Sequence, residues 1–140
     1  LDIISYVAPI GLFFGRVANF INSELVGIPS NIYWSVVFPL YDSLPRHPSQ
    51  IYEALLEGLI LFVVLHILIY NEKVLTGICS SIFLILYGIF RIFAEQFREP
   101  DVQIGYIFNV ISMGSLLSII MTITGIILFF KFKNDWKKNF

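Results

Sequence analysis

The chain holds one cysteine, Cys79, and it lies inside an apolar stretch. That excludes a disulfide framework and a paired-thiolate metal site. Cys79 reads as a small buried hydrophobe. Charge is also scarce: Asp, Glu, Lys and Arg make up 14% of the residues, against about 25% in an average soluble domain. The formal net charge of −1 leaves no basic field for a nucleic acid, so none is expected as a partner. There is no P-loop, dinucleotide fingerprint, zinc-ligand spacing or GxSxG elbow. Neither a metal nor a cofactor is therefore assigned. No basic segment precedes a short apolar core, as it would in a cleavable signal peptide. The chain starts at Leu1, and it reads as the later part of a longer protein or as the product of a gene that has lost its start.

What is abundant is apolar surface, 57% of the residues. A helix needs about 20 mostly apolar residues to cross a bilayer. Residues 52–70, 77–96 and 112–130 meet that length. Residues 3–20 make a fourth candidate, interrupted by Pro9 and Gly11, and proline is tolerated in membrane helices. The predicted fold is an all-α, multi-pass membrane bundle of about four spans. It forms a single integral membrane domain over residues 1–140. Residues 21–51 form an arm outside the membrane, and 131–140 form a tail. Lys131, Lys133, Lys137 and Lys138 in that tail place it on the cytoplasmic side, and Lys73 in the short 71–76 loop agrees. The arm and the segment after residue 96 then lie outside.

This topology brings unusual polar residues to one level. The first span carries Arg16 and Asn19 outward within GRVANFINSE, ahead of Asn22 and Glu24. The third carries Tyr87, Arg91, Glu95 and Arg98, whose spacing of four, four and three puts them on one helical face. An arginine at a bilayer centre costs about 2.5–3.5 kcal/mol, so such residues face a protein interior or a wet cavity. Two bland readings stand beside this one. Arg91 and Glu95 form a helix-joining ion pair, or Arg16 snorkels to the headgroups. Against the first, Arg98 leaves the face with surplus positive charge, which suits an anion. A guanidinium also fits a phosphate with paired donors.

Asn22 or Ser23 is a candidate helix stop. Gly11, Gly15 and Gly27 allow close backbone approach. In the arm, Tyr33, Trp34 and Tyr41 suit an interfacial belt, and IYWSVVF suits a short strand or a surface segment. His47 is a candidate for acid–base or packing duty, and His66 for packing alone. Glu53 suits the dipole at the start of the second span. Glu57, one turn deeper, needs a partner, for which the outward arginines are candidates. Together these residues predict an outward-facing, arginine-rich cavity for an anionic phospholipid headgroup.

Three segments, GRVANFINSELVG, RHPSQIYEALLEG and YGIFRIFAEQFREPD, resemble the bacterial prolipoprotein diacylglyceryl transferases in order and spacing. Ala18 and Ser23 stand where that family usually has glycine. The resemblance implies a reaction in the bacterial inner membrane, with the site toward the periplasm. The diacylglyceryl group of phosphatidylglycerol passes to the lipobox cysteine thiol of a prolipoprotein signal peptide, and glycerol phosphate leaves. Membrane lipids and that peptide are the implied partners. By the same resemblance Arg16 binds the phosphate. Arg91 stabilises the leaving group or positions the headgroup, and Glu24 and Glu95 orient arginines or assist deprotonation. Asn19, Gly27 and Arg98 match further substrate-binding positions, and His47 is grouped with them. The family's earlier half carries a histidine in a glycine-rich motif, viewed as the base for the thiol. No such motif occurs here, and that role is not transferred to His47. An inactive remnant or structural subunit, or a transporter with an arginine-lined anion path, are the alternatives.

Overall fold

The computed structural model of the chain describes residues 1–71, 76–99, 106–107 and 111–139. Helix α1 spans Asp2–Ile21. Strands β1 (Val36–Val37) and β2 (Pro45–Arg46) follow, antiparallel, with Val36 opposite Arg46 and Val37 opposite Pro45. Helix α2 (Ser49–Glu53) runs into a π-helical stretch, Ala54–Ile60, and on into α3 (Leu61–Asn71). Helix α4 spans Ile78–Glu95. Strands β3 (Tyr106–Ile107) and β4 (Ile111–Ser112) pair antiparallel before α5, Met113–Asn139.

Among the described residues, four helices are long and apolar enough to cross a membrane: Asp2–Ile21, Ser49–Tyr70, Ile78–Glu95 and Met113–Lys138. They match the four expected spans. Their outer faces are apolar, as at Phe14, Leu117 and Ile127, and their polar groups turn inward. That inversion is what lipid demands and water does not. The chain is a multi-pass helical membrane protein. One boundary differs from the sequence reading. Helix α5 does not stop at 130 but runs to Asn139, so most of the lysine-bearing tail is helical; Lys133 Nζ lies 5.9 Å from the Phe129 ring centroid. Lys73 lies outside the described residues.

Small residues set the packing. A Cβ on Gly88 would strike Thr122 Oγ1 and come within 2.7 Å of the Ser118 carbonyl. One on Gly125 would come within 2.9 Å of the Ser81 carbonyl. Helices α4 and α5 thus meet nearly backbone to backbone, as small residues allow in lipid. A core of Leu61, Leu65 and Cys79 sits between α3 and α4, with Tyr6, Ile82 and Phe83 packed on it. Cys79 is buried there, as expected. Pro9 is accommodated inside α1 and is itself buried.

The ends of α1 serve the two ends of the bundle. At one end Asp2 accepts hydrogen bonds from the Gly77 and Ser80 N–H groups, at 2.7 and 2.9 Å, and from Ser80 Oγ at 2.7 Å. It caps the start of α4 from another helix, supplying the orphan donors that α4 does not satisfy itself. Gly77, at φ +86°, makes the turn into that cap. Nearby, Tyr6 Oη and His66 Nδ1 are 2.8 Å apart, and the His66 ring stacks with Phe62 and Tyr70. His66 is a packing residue, as expected. The other end of α1 delivers Arg16.

Candidate active site

Arg16 lies near the end of α1, Glu53 and Glu57 near the start of the second membrane helix, and Arg91 and Glu95 near the end of α4. Because consecutive membrane helices alternate in direction, these positions fall at one level. The structure brings them into contact. Arg16 Nε is 2.8 Å from Glu53 Oε2 and 3.8 Å from Glu57 Oε2. Arg91 Nη1 is 3.3 Å from the same Glu53 oxygen and 3.8 Å from Glu57 Oε1, while Nη2 is 3.2 Å from Glu95 Oε2. Glu53 therefore bridges the two arginines. It does not serve merely as a helix-dipole charge. Glu57 finds its partners in Arg16 and Arg91, the residues expected to supply them.

The electrostatics differ from those of an arginine-rich hollow. The ion-paired groups are two guanidiniums and three carboxylates, a formal sum of −1. Glu53 and Glu57 are 1% and 0% exposed, Arg91 and Arg16 12% and 15%. Unpaired charges at that depth would cost several kcal/mol each, so the cluster holds only as a network. Arg16 comes closest to each glutamate through Nε. A Cβ on Gly114 would lie 2.9 Å from the Glu95 carboxylate, so the start of α5 closes on that side of the cluster. The Ser112 hydroxyl caps the start of α5, accepting from the Ser115 N–H at 3.2 Å.

Arg98 does not share the helical face of Arg91. Helix α4 ends at Glu95, and Arg98 enters an isolated antiparallel bridge with Gly27. Its side chain has no ion pair among the described residues. Gly27 earns its place by packing: a Cβ there would strike the His47 carbonyl and lie 2.7 Å from the Phe97 carbonyl. Three segments cross at this point. The N–H groups of Ile28 and Glu99 donate to Phe97 O and Val26 O, at 3.0 and 3.1 Å, and His47 N donates to Ile28 O at 3.1 Å. Gly11 and Gly15 meet nothing within 4 Å, so close approach is not their role.

Helix α1 ends at Ile21 with Asn22 as its C-cap, one of the two stops the sequence suggests. Ser23 and Leu25 take positive φ, 58° and 51°. That left-handed backbone is the reason a glycine suits position 23. Glu24 is exposed, and its backbone rather than its carboxylate makes the contacts: its N–H donates to Asn19 O at 2.9 Å, and its C=O accepts from Gln50 Nε2 at 2.8 Å. Asn19 is half-buried on the Arg16 side of the helix end. Neither joins the arginine–glutamate cluster.

The arm holds a second polar knot that sequence reasoning missed. Buried Arg46 pairs with Asp42 at 2.6 Å and Glu99 at 3.2 Å, donates to Gly27 O at 2.9 Å, and lies over the Tyr41 ring. Its hydrogen bonds hold the Asp42 carboxyl below its usual range, and Asp42 in turn raises Arg46. Of the two readings of IYWSVVF, a short strand or a surface segment, the strand forms at Val36–Val37 as β1. Beside the knot, Trp34 Nε1 donates to Tyr52 Oη at 2.6 Å, and Tyr52 Oη lies 3.0 Å from His47 Nδ1. Indole can only donate, so Tyr52 Oη accepts from Trp34, and the direction of its bond to His47 Nδ1 follows the imidazole tautomer. His47 also packs edge-on against Phe97.

Two largely buried arginines and three glutamates, drawn from three helices, form an ion-paired cluster at one end of a four-helix membrane bundle. The sequence model of the prolipoprotein diacylglyceryl transferases matches residues 1–131, and the chain belongs to that family. It is similar to a phosphatidylglycerol–prolipoprotein diacylglyceryl transferase of Rickettsia felis, 52% identical over 126 residues, covering 89% of this chain and 49% of the relative. The Rickettsia bellii counterpart is 51% identical over 132 residues, 93% of this chain and 50% of the relative. The chain spans about half the length of the curated relatives it matches.

Proposed function

We propose that the chain takes part in transferring the diacylglyceryl group of phosphatidylglycerol to the lipobox cysteine of a prolipoprotein. The attacking thiolate forms a C–S bond to the glyceryl carbon, the C–O bond to phosphate breaks, and glycerol phosphate leaves. Arg16 holds the phosphate through its outer nitrogens while Glu53 fixes its Nε edge. Arg91, clamped between Glu53 and Glu95, offers charge to the departing phosphate oxygen. Membrane lipid reaches the cluster laterally, and the arm covers it. The site faces the periplasm of the inner membrane, which suits a lysine-rich α5 end lying opposite the cluster. Glu24, His47, Asn19, Gly27 and Arg98 build the wall beside the cluster, and Glu24 and Glu95 remain candidates for assisting the proton transfer.

The observation that carries this reading is the convergence of Arg16 and Arg91 on one Glu53 oxygen. Its test is Arg16→Ala, assayed by transfer of radiolabelled diacylglyceryl from phosphatidylglycerol to a prolipoprotein. Transfer is expected to be lost with the protein still folded; normal turnover would remove Arg16 from the site.

A further inference from the structure

The carboxylates outnumber the guanidiniums in a cluster meant for an anion. Glu53 and Glu57 are essentially unexposed. Among the described residues, neither oxygen of Glu57 has a hydrogen-bond partner, and the nearest arginine nitrogens stand 3.8 Å away. These negative charges are only partly quenched, and they sit directly behind the arginines. The groups facing them are Arg91, Glu95 and Tyr87 on α4, Arg16 on α1, and Arg98 at longer range. With Arg98 counted, the sum rises from −1 to zero. A bare arginine pair would prefer the more highly charged anion. This cluster, already balanced, penalises each added negative charge.

We propose that Glu53 and Glu57 make the arginine pair selective for a singly charged phosphodiester over a doubly charged phosphomonoester. This rests on the transferase reading for the identity of the product. In that reaction the diester carries one negative charge. The thiol proton is released as the C–S bond forms and the C–O bond breaks. The leaving monoester then carries a second charge above about pH 6. The product is thus expelled by the charge it gains, while the substrate is retained. Glu53 and Glu57 touch the arginines, not the lipid, and act as specificity-setting positioning residues.

The test reads binding alone, with no peptide present. The full chain in phosphatidylcholine nanodiscs is titrated with phosphatidylglycerol or with phosphatidate, a phosphomonoester lipid, against a fluorescent phosphatidylglycerol. At pH 8 phosphatidylglycerol is expected to win by about tenfold, the scale of one extra charge about 12 Å away at an effective dielectric of about 20. At pH 5, where phosphatidate loses its second charge, the preference is expected to shrink severalfold. Glu57→Gln and Glu53→Gln are expected to abolish or reverse it. Equal binding, or a preference for phosphatidate, by the wild type at pH 8 overturns the proposal even if both variants misfold. A preference that persists in both folded variants overturns it too. Unchanged phosphatidylglycerol binding by Arg16→Ala would instead remove the anion site itself, and with it the transferase reading.

Discussion

Replacing Arg91 with lysine keeps the charge and removes the fork. Arg91 reaches Glu53 through Nη1 at 3.3 Å and Glu95 through Nη2 at 3.2 Å, two carboxylates on different helices. A lysine ammonium is a single point of charge on a flexible stem and cannot hold both in that planar geometry. One of the two ion-pair contacts is lost, and a buried carboxylate is left without its partner. A charge-assisted contact is worth at most about 1.5–3 kcal/mol. If the loss falls on the transition state, transfer drops by roughly tenfold to 150-fold. Arg91→Ala removes the whole partner from a buried network, at about 3–5 kcal/mol. That corresponds to roughly two to four powers of ten in rate if none of it appears as unfolding. The assay is initial-rate transfer to a prolipoprotein, with thermal unfolding in detergent run beside it to separate misfolding from lost chemistry. The ordering wild type, Lys, Ala is the test. Lysine within a factor of two of wild type would refute the bridging argument and leave charge alone as the requirement.

Three further outcomes follow from the geometry. Gly27→Ala forces a Cβ into the His47 and Phe97 carbonyls and should cost about 1–3 kcal/mol of stability; Gly11→Ala, with open space around it, is the matched control and should not destabilise. Ser23→Gly relieves a φ of 58° and should raise stability by about 1 kcal/mol, read as a higher unfolding midpoint in detergent. The Asp42 carboxyl is held below its usual range by Arg46. Its contribution is therefore fully present above the unfolded carboxylate pKa of about 3.9 and lost as pH falls through the lower folded value. Trp34 fluorescence should report loosening of the arm only in that acid window, and Asp42→Asn should abolish the transition.

Some of this architecture is visible in the residues themselves. Apolar length reveals the four spans, and their alternation is enough to set Arg16 and Arg91 at one level. The partner of Glu57 is legible for the same reason. Arg98 is not, because the helical spacing of threes and fours continues past Glu95 without a break. Pro100 was the available signal, since residues just ahead of a proline leave the helix. The Arg46 knot joins residues 42, 46 and 99 with the Gly27 carbonyl. Such a contact between distant segments leaves no periodic trace. The surplus of carboxylate over arginine was hidden likewise, because Glu53 has a satisfactory local explanation at a helix start. Only the tertiary contact with Arg16, 2.8 Å away, displaces it.

Helix α1 is fastened at both tips, by Asp2 to the head of α4 and by Arg16 to Glu53. It therefore works as a strut of set length between the two membrane surfaces. Deleting a single residue between them would shorten it by about 1.5 Å and swing one tip through about 100°. No slack remains to absorb that swing, so insertions and deletions inside this helix should be far more damaging than substitutions on its lipid-facing side.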